Sequence, residues 1–189
     1  MFTFKVKGLK ELQEALDPEK YKKIATRTLN KLGPQARTAI SREVRSEYNI
    51  KRDRFDAGLY VKRVSWEDMK FLLAFRGRPP GLQHFDARQT RKGVTVKVKK
   101  ASGRKVVKKG FMANTPEGAP AIWKRTGEFP RTMTKGRYKG KMREPIERLY
   151  GPDIVAMVKT VGIRAAQKIV HEKAESLLAH EFEREIGRK

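Results

Sequence analysis

Three histidines, no cysteine and 21 acidic side chains are all that this 189-residue chain offers for acid–base, nucleophilic or metal chemistry. His84 stands beside Phe85 at what reads as a strand end, with no nucleophile or acid in a recognisable motif around it. His171 and His180 are nine residues apart on a helical stretch, half a turn away from a shared face, so they do not read as a metal pair. Glu11, Glu14, Glu43 and Glu47 lie at helical ion-pair spacing from nearby lysines and arginines. No GxxxxGK[ST] phosphate loop and no GxGxxG fingerprint occurs. No catalytic residue, metal site or cofactor is therefore expected, and the chain reads as a non-enzyme.

The chemistry that remains is attraction of polyanions. Lysine and arginine number 45, for a net charge of +24. The window from Asp86 to Arg143 alone holds 18 of them against three acids, Asp86, Glu117 and Glu128, a net of +15. One candidate surface is Arg88, Arg91, Lys92, Lys97, Lys99, Lys100, Arg104, Lys105, Lys108 and Lys109. A second group, Arg131, Lys135, Arg137, Lys139, Lys141 and Arg143, lies in the segment Glu128 to Glu144. A solvated, aggregation-resistant strand face accounts for any single lysine here. It accounts less well for the whole window, because solubility does not call for so one-sided a charge. No zinc ligands, no pair of aromatics on adjacent strands of RNP type and no recognition-helix pattern is legible, so backbone-level attraction without base readout is expected, or an acidic protein neighbour.

The elements that must carry these residues follow from periodicity. Phe2, Phe4 and Val6 alternate as a short strand, and Leu9, Leu12, Ala15 and Leu16 fit one helical face. Asp17-Pro18 is a helix start, cap followed by first-turn proline. From there Tyr21, Ile24, Ala25, Thr28, Leu29, Leu32, Ala36, Ile40, Val44 and Tyr48 keep helical phase for about 30 residues, so Gly33-Pro34 is expected to kink the helix or join two abutting ones. A further turn or two is expected within Asn49 to Ala57. Strands are expected at Leu59 to Trp66 and Met69 to Gly77, paired across Ser65 to Asp68.

Val94, Val96 and Val98 alternate with Thr95, Lys97 and Lys99. A turn at Ala101 to Gly103 and a return strand carrying Val106, Val107, Phe111 and Ala113 complete a hairpin with one apolar and one cationic face. Ala121 to Gly127 reads as another strand and Pro145 to Tyr150 as extended chain. The segment 128–144, with little apolar content, is expected to be a flexible loop ordered by a partner. A C-terminal helix is expected over 153–186, with Ile154, Val158, Val161, Ala165, Ile169, Leu177, Phe182 and Ile186 on its apolar side and a break near Gly162. MFTFKVKG has no signal-type apolar run and nothing approaches the ~20 apolar residues that span a bilayer, so production in a cytosol and no membrane partner are expected. The whole, 1–189, reads as one α+β domain: an antiparallel sheet with the long N-terminal helix, kinked near Pro34, and the C-terminal helix packed on it.

Taken in order, FKVKGLKEL, RTLNKLGPQARTAISREV, YNIKRD, HFDARQTRKGVTVKV, KGFMA, WKRTG and REPIERLYGPDIVAMV resemble the prophage minor tail protein Z family of lambda-like phages, over Phe2 to Val158. Arg131 to Met142 departs from the family pattern in being longer and more basic. The resemblance implies a structural virion protein acting in tail completion near the head-proximal end of a long-tailed phage, assembled in the host cytoplasm. Its implied partners are copies of itself in a ring, other tail and neck proteins, and duplex DNA in the channel met without sequence preference. The alternative, resting on charge alone, is a free-standing sequence-nonspecific nucleic-acid-binding protein.

Overall fold

The computed structural model describes Glu14 and residues 16–65, 72–75 and 79–187. These fall into two compact units interleaved along the chain. The first takes the chain up to Arg45, then 52–78, and resumes at Ile154; the second takes Ser46–Lys51 and Pro79–Asp153. The class is α+β, with a long N-terminal helix, a C-terminal helix and antiparallel sheets. The expected strand at Phe2 to Val6 and most of the short helix after it lie outside the described residues.

The first unit is built on helix α1, Pro18–Glu47, whose last two residues belong to the second unit. The Asp17 carboxylate accepts from the Glu19 N–H at 2.9 Å and the Lys20 N–H at 3.4 Å, two of the donors that a helix start leaves unpaired. The helix runs through Pro34 as one element, burying Ile24, Ala25, Leu29, Leu32, Ala36, Ile40 and Val44 on the expected face. Pro34 sits on the exposed side, where helix carbonyls tilt toward water and a lost hydrogen bond is replaced by solvent.

A short helix α2, Arg52–Asp56, buries Phe55 and ties back to α1. The Ser41 hydroxyl donates to the Asp56 carboxylate at 2.6 Å, and Arg37 donates to the Asp56 carbonyl at 3.1 Å. Strands β1 (Leu59–Lys62) and β2 (Leu72–Phe75) pair antiparallel, Leu59 opposite Phe75 and Lys62 opposite Leu72, as expected; β1 ends before the expected Trp66, residues 63–65 leaving the ladder, and the rest of the connection, 66–71, lies outside the described residues.

The C-terminal helix begins as α3, Ile154–Met157, passes through a π turn at Val158–Gly162 and continues as α4, Ile163–Ile186. A π turn holds one residue more than the α-helix it interrupts. The buried row accordingly becomes Ala166, Val170, Ala174, Leu178 and Glu181. Each of the first and second lies one residue past the expected Ala165 and Ile169, which are only half-buried, and Ile186 is exposed. A constant period carried across Gly162 misses that slip.

α1 and α4 run antiparallel: Leu32 packs on Val170 and Ala174, Arg27 pairs with Glu185 at 2.7 Å, and Lys31 pairs with Glu181. At the other end a Cβ on Gly162 would lie 2.9 Å from Ile40 Cγ2, so glycine there permits close approach of the helices.

In the second unit, β3 (Arg88–Thr90), β4 (Gly93–Val96) and β5 (Lys105–Val107) form one antiparallel sheet in that order. A second sheet has the order β10-β7-β6, from β6 (Gly110–Asn114), β7 (Pro120–Arg125) and β10 (Ile146–Arg148). Val94, Val96 and Ile122 form the buried centre, with Leu82, Ala87, Val107 and Leu149 around them.

The expected single return strand is thus two strands in two sheets. Lys109, at φ 59°, turns the chain between them, and Gly110 fits against the Val107 carbonyl, where a Cβ would lie 2.9 Å away. Val106, named in the expected return strand, is 48% exposed because it shares the outer face with Arg88 and Thr95. His84, expected at a strand end, lies in a one-turn 3-10 helix, Leu82–His84, whose threefold spacing turns Leu82 and Phe85 together into the core.

Candidate cationic interface

The ten cations expected on one surface are divided between the two ends of the β3-β4-β5 sheet. Arg91 and Lys92 form the β3–β4 turn, and Lys108 and Lys109 the β5–β6 turn. The pairings of Thr90 with Gly93 and of Val94 with Val107 bring both turns to the same end. Arg88, Lys97, Lys99, Lys100, Arg104 and Lys105 lie toward the other end, where Arg88 faces Thr95 and Val96 faces Lys105.

The far group is partly neutralised. Arg104 pairs with the Asp86 carboxylate and also donates to the Asp86 carbonyl at 2.8 Å, and Arg88 approaches the same carboxylate at 3.6 Å. Lys99 pairs with Glu47 at 3.0 Å and sits 5.4 Å from the Tyr48 ring centre. The hydrogen bond to Glu47, followed by the fields of Tyr48 and Glu47, raises its pKa above the ordinary lysine value. Backbone bonds reinforce this clip: the Asn49 N–H donates to the Val98 carbonyl at 2.9 Å and the Lys100 N–H to the Glu47 carbonyl at 2.8 Å.

Arg91, Lys92, Lys108 and Lys109 are exposed and form no ion pair among the described residues. Lys124, opposite Gly110, and Arg125, whose N–H donates to the Lys109 carbonyl at 3.5 Å, lie at this end too, but are paired with Glu147 at 3.9 Å and with Glu144 at 3.6 Å. Those two belong to a strand with no charge run of its own, so only the unread β6–β7 pairing connects them to the patch.

The segment 128–144 is a small hairpin, β8 (Arg131–Thr132) with β9 (Met142–Arg143). It closes through backbone bonds between Met133 and Lys141 and through Gly136 and Gly140, both at positive φ. Local hydrogen bonds and glycine turns supply what the apolar content cannot. Arg131, Lys135, Arg137, Lys139, Lys141 and Arg143 are all exposed. Arg143 lies 3.8 Å and Arg137 5.9 Å from the Tyr138 ring centre, while Phe129 is 93% exposed and Met142 69%.

On the outer side of the second sheet, Phe111 and Trp123 face each other across β6 and β7, and Arg148 continues the row on β10. No such aromatic pair on adjacent strands is expected from the sequence, because Phe111 reads there as the end of another hairpin. Arg125 lies 5.6 Å from the Phe111 ring centre and Arg148 5.4 Å from that of Tyr150. The described residues include no group of three histidines, cysteines or carboxylates able to hold a metal ion. No described helix is long and apolar enough to cross a membrane. Comparisons with family models, with curated proteins and with solved structures each find no match.

Proposed function

We propose that this chain is a structural virion protein of a long-tailed phage, acting in tail completion as a ring subunit that turns cationic side chains toward DNA or toward an acidic neighbouring ring. The observation that carries the reading is the cluster of exposed, unpaired cations at one end of the β3-β4-β5 sheet. Phosphate-level attraction needs lysine and arginine free of internal carboxylates, with no base-specific geometry. The hairpin 128–144, exposing Phe129 and Met142 among six cations, has the composition of an arm that gains its core from a partner. The ordered resemblance over Phe2 to Val158 supplies the context.

Electron microscopy of tails carrying the protein tests this. The expected result is a ring at the head-proximal end with Arg91, Lys92, Lys108 and Lys109 toward the channel or a neighbouring ring. A map with these side chains in bulk solvent on the outside overturns it. The second reading, a free-standing nonspecific nucleic-acid binder, draws on the same cluster. It requires strong, salt-sensitive duplex binding by the isolated chain, where a tail component binds feebly alone.

A further inference from the structure

We infer that the outer face of the β10-β7-β6 sheet is a binding platform for single-stranded nucleic acid, stacking unpaired bases on Phe111, Trp123 and Tyr150. In register, residues opposite one another share a face, and alternate residues along a strand return to it. Ile122, paired with Met112, belongs to the buried centre. Phe111, Trp123, Arg125, Ile146, Arg148 and Tyr150 therefore occupy the face opposite Ile122, on which Ala121 is also fully buried.

Phe111 and Trp123 are half-buried, Tyr150 is 46% exposed, and the guanidinium groups of Arg125, paired with Glu144 at 3.6 Å, and of Arg148 lie beside the rings. The Trp123 indole N–H donates to the Ala113 carbonyl at 3.1 Å, which fixes the ring's orientation. Lys108 and Lys109 enter β6 at the rim, beside Arg125. Aromatic faces with adjoining cations on a sheet are what unpaired nucleotides require: rings for the bases and guanidinium or ammonium groups for the phosphates. Duplex DNA cannot use the rings, because its bases are already stacked on one another. Charge complementarity with the adjoining Lys108 and Lys109, which form no ion pair among the described residues, commits the surface to a polyanion.

Fluorescence anisotropy of the intact protein with a labelled oligothymidylate, an abasic strand of equal length and a duplex of equal length tests the inference. The oligothymidylate is expected to bind at least about tenfold more tightly than the abasic strand, from stacking of one or more bases. Phe111→Leu and Trp123→Leu, which keep an apolar side chain and remove the ring, are expected to weaken oligothymidylate binding about tenfold or more and leave abasic and duplex binding unchanged. Equal affinity of the wild-type chain for the thymidylate and abasic strands overturns the inference, and needs no variant to fold. So does a Phe111→Leu protein that binds oligothymidylate as the wild type does. A wild-type chain that binds neither strand, but whose oligomeric state changes on these substitutions, assigns the platform to self-association and also overturns it.

Discussion

Lys99 and Arg104 are not the equivalents of Lys108 and Lys109, although all four stand in one basic run. The first two are held by Glu47 and Asp86; the second two face water. Each free cation that meets a phosphate releases a counterion, whereas a paired one must first give up its carboxylate. Replacing Lys108 and Lys109 together by Gln is expected to reduce the slope of log affinity for duplex DNA against log salt by up to about two, without moving Tm. Arg104→Gln is expected to leave that slope nearly unchanged and to cost about 1 kcal/mol of stability, read by urea unfolding, as suits a partly exposed pair with an added backbone bond.

Glu181 is the other residue whose charge is committed. Its side chain is fully buried, and burial works to raise its pKa. The hydrogen bond and charge of Lys31, with Arg184 and Arg27, outweigh that and hold it below the ordinary glutamate value near 4.5. A carboxylate with a depressed folded pKa adds stability that is complete above its unfolded value and is lost as pH falls through the folded one. Glu181→Gln is therefore expected to cost about 1–3 kcal/mol at neutral pH, at the lower end because Lys31 can turn to water, and the gap to wild type should close in acid. An equal gap at pH 7 and in strong acid would contradict the assignment.

At the scale of elements, the C-terminal helix shows what packing adds to pattern. Gly162 lies at the end of the π turn and under Ile40. Gly162→Ala gains about 1 kcal/mol of helix propensity. It also pushes a methyl against Ile40 Cγ2, and overpacking of that kind costs about 1–3 kcal/mol. A net fall in Tm is expected, with recovery when Ile40→Leu removes the opposing methyl; a rise in Tm for the single variant would show that the helices can part without cost.

Elements whose signal is local were legible in the sequence. The Asp17 cap, the α1 stripe and the β1–β2 pairing depend on neighbours within a turn or a hairpin. What was not legible depends on distant pairing: the slip in the C-terminal apolar row, and the departure of Phe111 from the β4 hairpin to meet Trp123. The cationic residues themselves stood out by composition. Which of them are free was hidden, because Asp86 and Glu47 reach their partners only through the fold.

For the molecule as a whole, the second unit's long segment is pinched shut where it begins and ends. The Leu82 N–H donates to the Leu149 carbonyl at 3.1 Å, the Gly151 N–H donates to the Pro80 carbonyl at 2.8 Å, and Gly81 bridges Tyr150. This pinch bears on the order of folding. The ion pairs that join α1 to α4 link residues 150 and 158 positions apart, and closing so long a loop unaided is slow. Once the β segment has closed on itself, the chain left between the two helices is far shorter, and their docking becomes nearly a local event. A Cβ on Gly151 would collide with the Phe85 ring, so Gly151→Ala should disturb the pinch directly. The expected result in stopped-flow refolding is a slower approach to the native helix pair, although the substitution touches neither helix; an unchanged folding rate with faster unfolding would mean that the helices meet first. The short β ladder at the ends of that segment would then act as the molecule's folding clasp, setting when the distant halves of the helical unit can find each other.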